Sequence, residues 1–195
     1  MSLALEELAF TREKVYTYDD YRQLPEGAPY QLIGGELVLT PAPTSYHQII
    51  SSRLEFKMMD HVTANDLGIV LDAPIDVYLE KTETYQPDIL FISRERLNIV
   101  KQEKIEGAPD LVVEILSPST AYYDLRKKYR LYEKHGVREY WIVDPEEKSI
   151  QVFTLDKGKF KLDQEVAKEG LLRSRVIEGL TIDAADIFTN PVVTP

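Results

Sequence analysis

Cysteine is absent from this 195-residue chain, which excludes disulfides, thiolate metal sites and cysteine nucleophiles. Positive charge is scarce: 23 lysines and arginines stand against 33 aspartates and glutamates, a net charge of −10. That balance counts against a protein that coats nucleic acid through a broad basic surface, but not against an enzyme that meets it at one local site. No apolar run approaches the roughly 18 residues of a membrane span, so no membrane partner is expected. Met1 to Phe10 include Glu6 and Glu7 and no basic stretch. A signal peptide is therefore not expected, and the cytoplasm is the expected location. There is no G-x-S-x-G elbow for a serine hydrolase and no glycine loop to cradle a phosphate. Of the three histidines, His47, His61 and His135 lack metal-ligand spacing and are read as structural.

What is present is the composition of an ordinary globular protein, 44% hydrophobic and 29% charged. The length suits one domain spanning 1–195, large enough to bury a core. Thr17 to Leu24 reads as a short helix with Thr17 as cap, Asp20 three residues later and Pro25 as the stop. Gly34-Gly35 between Tyr30–Ile33 and Glu36–Leu39 predicts a hairpin. Tyr46, Ile49, Ile50, Leu54 and Met58 form a helical apolar stripe over Ser45 to about His61. Strands are predicted over Gly68–Leu79, Ile89–Ser93 and Leu111–Leu116, with a charged, partly helical linker over Arg94–Ala108. A helix capped near Ser119 runs from about Thr120 to His135, and Gly136 stops it. A strand at Tyr140–Val143 and a hairpin about Lys157-Gly158 follow, then strands or turns and a short helix. The central order is helix, strand, strand, strand, helix, strand, an α/β arrangement with a mixed sheet.

Two carboxylates interrupt or open apolar runs. Leu111-Val112-Val113-Glu114-Ile115-Leu116 has the pattern of a strand covered on both faces. An ionised Glu114 there costs several kcal/mol unless a cation or hydrogen bonds compensate. Asp88 opens the buried run Ile89-Leu90-Phe91-Ile92. If these strands pair, the carboxylates converge, and hard divalent cations favour one or two such groups with water and phosphate oxygens. The structural alternatives are a buried ion pair for Glu114 and a turn-capping role for Asp88. Asp110 shares a strand face with Glu114 but follows Pro109, and is read as a strand-entry residue. On the following helix, Leu125, Tyr129 and Tyr132 define a core face at about 100° per residue. Lys128 borders that face at about −60°, whereas Arg126 and Lys127 lie at about 100° and 200°. Lys128 can thus reach inward; its structural alternative is a helix-edge lysine paired with Asp124.

These segments carry a resemblance. The hairpin Tyr30 to Leu37, His47, Pro87-Asp88, Ala108 to Ser119, Lys128 to Tyr132 and Gly136 to Pro145 together resemble the Uma-type restriction endonuclease family, a branch of the PD-(D/E)XK nuclease superfamily. The likeness covers roughly Thr17 to Phe188. It implies a restriction-endonuclease-like core with added hairpins. It also implies that Asp88 and Glu114 bind the metal, with the Ile115 backbone carbonyl as a further ligand, and that a lysine assists the attacking water. The superfamily places that lysine two residues after the glutamate, where this chain has Leu116; Lys128 matches the recurring lysine of the family itself. Gln31 stands where relatives often carry glutamate.

Two readings follow. One is a Mg²⁺-dependent endonuclease, with Mn²⁺ as an alternative ion, hydrolysing phosphodiester bonds in nucleic acid. DNA is the expected substrate, and a homodimer would suit cutting of two strands. In this reading Asp88, Glu114 and Lys128 carry the catalysis. The other is a binding or assembly module that kept the fold without turnover.

Overall fold

The computed structural model describes residues 14–118 and 121–189. The expected cap at Ser119, the helix start at Thr120 and the segment Met1 to Phe10 lie outside these residues. Thr17 caps α1 (Tyr18–Tyr21) through a capping box with Asp20, as the spacing predicts. β1 (Tyr30–Ile33) and β2 (Glu36–Leu39) pair across Gly34 and Gly35. Both glycines have positive φ, 62° and 74°, which a two-residue turn of this twist requires. α2 (Ser45–Ala64) is capped by the Thr44 hydroxyl and buries His47, Ile50, Leu54, Met58 and Val62.

The run Gly68–Leu79 is not one strand. It divides into β3 (Gly68–Asp72) and β4 (Val77–Glu80), which belong to different sheets. Pro74 lies between them; it has no N–H to donate to a ladder and a fixed φ, so the chain turns there. Next come β5 (Glu83–Tyr85), β6 (Ile89–Ser93), a 3₁₀ turn (Arg94–Ile99), β7 (Ile105–Glu106) and β8 (Leu111–Ile115). A π-helical turn (Tyr123–Lys128) leads directly into α3 (Tyr129–His135), which Gly136 ends at φ 83°. β9 (Glu139–Asp144), β10 (Ser149–Asp156), β11 (Lys159–Ala167), β12 (Leu171–Arg173), β13 (Thr181–Asp183) and α4 (Ala184–Phe188) complete the chain.

The main sheet has the order β11-β10-β9-β8-β6-β3 and is mixed. β8 and β9 are parallel; their neighbours run antiparallel. Parallel neighbours need a crossover, and the helix of Tyr123–His135 supplies it. The order α2, β3, β6, β8, α3, β9 is the helix-strand-strand-strand-helix-strand core that the sequence predicts. A second sheet, β2-β1-β5-β4-β7, was not anticipated, because β5 is too short and polar to read as a strand.

The main sheet is covered on both faces. Ile50, Leu54, Met58 and Val62 of α2 pack against Ile89, Phe91, Leu111, Val113, Ile115, Trp141 and Val143. On the other face Val112, Tyr140 and Ile142 meet Leu131 and Tyr132 of α3, with Ile33 and Tyr85 from the second sheet. All five residues of β8 are buried, as its near-continuous apolar character predicts. Glu114 therefore sits inside a core.

Candidate active site

The register of β6 against β8 brings the two carboxylates together. Ile89 is opposite Val113 in an antiparallel pair, so one step outward Asp88 falls opposite Glu114 and on the same face. Asp88 Oδ2 accepts from the Ile115 N–H at 2.7 Å, which extends the pairing by a side-chain bond. Glu114 is 3% exposed, and both of its oxygens are engaged. Oε2 accepts from Lys128 Nζ at 2.8 Å and Oε1 from the Tyr132 hydroxyl at 2.8 Å. Lys128, itself 3% exposed, also lies 3.0 Å from Asp124 Oδ1. The inward lysine and its pairing with Asp124, posed as alternatives from the sequence, are both present.

The face that carries Lys128 differs from the sequence expectation. Leu125 is 45% exposed, and the inward residues are Asp124, Lys128, Leu131 and Tyr132. The cause is the π turn over Tyr123–Lys128. Its wider i→i+5 winding offsets side chains from the 100° spacing, and such turns recur at functional sites. Lys127 points elsewhere, to Glu36 at 3.3 Å and over the Tyr123 ring.

Electrostatics follow from burial. Desolvation, reinforced by Asp124 and Asp88, pushes the Glu114 carboxyl up to about 8 against the opposing pull of Lys128. Burial disfavours the Lys128 charge, but Asp124 and Glu114 outweigh it and hold the ammonium protonated. Burial and the Glu114 carboxylate keep the Tyr132 phenol protonated, so it donates.

His47 was read as structural, yet it stands at this site. From the first turn of α2 its Nε2 lies 3.1 Å from the Ile115 carbonyl oxygen, to which the N–H donates, and 3.5 Å from Asp88 Oδ2. Burial lowers its proton affinity, but Asp88 and the Ile115 carbonyl more than reverse this and hold it above the ordinary value. Its Nδ1 is buried with no hydrogen-bond partner among the described residues. The signal was available: His47 continues the buried stripe of Ile50, Leu54 and Met58 at helical spacing.

Two neighbours are structural. Asp110 is fully buried and accepts from the Ser93 N–H and from Arg96 and Arg138, which anchor the entry to β8. Gln31 accepts from the Gln86 N–H at 3.1 Å and donates to the Thr40 hydroxyl at 3.3 Å, tying down the segment that leads to Asp88.

The donor chemistry suits a hard divalent cation: two carboxylates and the Ile115 carbonyl are all oxygens. Among the described residues no three His, Asp or Glu side chains gather closely enough to hold a metal by themselves. Water and substrate would complete the shell, as Mg²⁺ commonly requires.

Comparison with known proteins identifies the family and the fold. The Uma2 family, described as "Putative restriction endonuclease", matches residues 18–185, most of the chain. The chain belongs to the Uma2 family. A curated relative, the uncharacterized protein slr1290 of Synechocystis, is 27% identical over 126 residues, 64% of this chain and 65% of that protein. The match thus spans less than two thirds of that relative's length. A crystal structure titled as a putative nuclease belonging to DUF820, from Anabaena variabilis, aligns with a TM-score of 0.73 at 23% identity. It covers 88% of this chain and 97% of the other, and the Uma2 chain shares its fold. Among the described residues no helix is long and apolar enough to cross a membrane.

Proposed function

We propose that this Uma2 protein is a metal-dependent nuclease that hydrolyses phosphodiester bonds, with DNA as substrate and Mg²⁺ or Mn²⁺ as the ion. The observation that carries the reading is the buried Glu114 carboxylate, across the strand pair from Asp88 and hydrogen-bonded to Lys128 at 2.8 Å. A carboxyl group, an ammonium and a phenol buried together do not improve a core, since apolar residues there are as stable or more so. Asp88, Glu114 and the Ile115 carbonyl would hold the ion. When bound, it supplies Lewis acidity towards a phosphate oxygen and makes water a better nucleophile.

The remaining roles belong to the chain. The Lys128 ammonium offsets negative charge that develops on the phosphate in the transition state. It enters from the helix and fills the position left by Leu116, whose N–H is committed to the sheet through Val143. Tyr132 fixes the orientation of Glu114, and the His47 N–H fixes the Ile115 carbonyl.

One observation favours a second reading, a binding or assembly module without turnover. Both Glu114 oxygens already have donors inside the protein. A cleavage assay on single- and double-stranded DNA and RNA, with and without Mg²⁺ or Mn²⁺, separates the two. Cleavage that needs both metal and Glu114, lost in Glu114→Ala, supports the nuclease. Binding of nucleic acid without cleavage under every condition supports the module.

A further inference from the structure

Lys128 has two carboxylate neighbours but hydrogen-bonds to only one. Its Nζ donates to Glu114 Oε2 at 2.8 Å, while Asp124 Oδ1 stands 3.0 Å away. The second contact has the distance of an ion pair without hydrogen-bonding angles: Asp124 Oδ1 has no hydrogen-bond partner among the described residues. Asp124 is 1% exposed, so it is shut off from bulk solvent. The Tyr140 hydroxyl donates to the Asp124 backbone carbonyl at 3.1 Å and holds the π turn in place beneath it. An open acceptor is thus kept within reach of a buried ammonium.

Loading the site with a cation makes that acceptor useful. A cation on Glu114 and the Lys128 ammonium would share one carboxylate, and like charges at such range repel. Lys128 is enclosed and cannot withdraw to water. We propose that Asp124 is a positioning residue, which takes the Lys128 ammonium from Glu114 when a divalent cation binds and keeps it charged at the reacting phosphate. The proposal rests on the metal-site reading given above. Turning towards Asp124 exchanges a misaligned contact for a charge-assisted hydrogen bond. Without Asp124, Lys128 competes with the ion for Glu114.

Mn²⁺ binding to the full chain, measured by calorimetry and electron paramagnetic resonance without nucleic acid, tests this. Asp124→Asn should weaken Mn²⁺ binding about tenfold, within the coupling range of contacting residues, while Asp124→Glu restores most of it. Lys128→Met should tighten binding, because it removes the competitor. The double variant should match Lys128→Met, so Asp124 matters only while Lys128 is present. A merely structural Asp124 would instead weaken binding equally in both backgrounds, and that result overturns the proposal. So does an unchanged affinity in Asp124→Asn. The double variant removes both charges together, so its comparison with Lys128→Met decides the matter even if Asp124→Asn alone does not fold. If the wild type binds no Mn²⁺, or if Glu114→Ala leaves the affinity unchanged, the metal-site reading itself fails and Asp124 loses its role with it.

Discussion

Replacing Glu114 with glutamine keeps the shape of the side chain and removes its ability to ionise. In the metal-free protein burial raises the Glu114 carboxyl from an ordinary 4.5 to about 8. The folded state therefore binds a proton that the unfolded chain releases at much lower pH. Stability from this group is fully present below about 4.5 and is lost as pH rises through about 8. At 1.36 kcal/mol per pH unit, the whole excursion amounts to about 5 kcal/mol. That figure is what remains after Lys128, at 2.8 Å, has favoured the ionised form. Glutamine mimics the neutral acid and can still accept from Lys128 or Tyr132. Glu114→Gln should thus match the wild type near pH 5 and exceed it by several kcal/mol near pH 9. Urea denaturation in a chelator at intervals between these values reads the difference directly, and titrating groups remote from Glu114 cancel in it. A difference that stays constant with pH, or a wild type that is the more stable at pH 9, would mean that Glu114 is already ionised and that its pair with Lys128 dominates burial.

Lys128→Ala should lower single-turnover cleavage by about two to four powers of ten while metal binding survives. Lys127→Ala, whose amine is held by Glu36, should cause only a modest, salt-dependent loss of substrate affinity; a larger loss than for Lys128→Ala would refute this assignment. Asp110 is buried, yet its bonds from Ser93 and Arg96 hold its carboxyl below the usual range, so its contribution is present at neutral pH and lost as pH falls through its folded value. Asp110→Asn should cost about 1–3 kcal/mol near pH 7 and converge with the wild type in acid, as melting temperatures across pH will show. Leu54 is fully buried between α2 and the main sheet, and Leu54→Ala should cost about 2–5 kcal/mol in chemical denaturation.

Local chemistry made much of the framework legible in the chain itself. The Gly34-Gly35 turn, the Thr17 capping box, the stripe of α2 and the Gly136 stop each depend on neighbours within a few residues. The pattern of β8 marked both a buried strand and the anomaly of a carboxylate within it. That anomaly, with Asp88 opening β6, was enough to single out the pair. The inward position of Lys128 was legible too, although by a face that the structure redraws. An ideal helix of 100° per residue put Leu125 inside, whereas the π turn leaves it exposed and turns Asp124 inward beside Lys128.

What the sequence alone determined is therefore what periodicity and local turns determine: the order of elements, the two buried strands and the acidic residues that interrupt them. Only the tertiary structure decided which groups share a site. The β6–β8 register sets Asp88 opposite Glu114, and the π turn carries Asp124 and Lys128 together to Glu114. The packing of α2 across the sheet delivers His47 to the Ile115 carbonyl from 68 residues away. The second sheet was hidden for a related reason, because β5 is three residues long and joins its hairpin neighbour β4 to β1, which is distant in the chain. Register and packing are pairwise properties of segments far apart in sequence, and no single segment carries them.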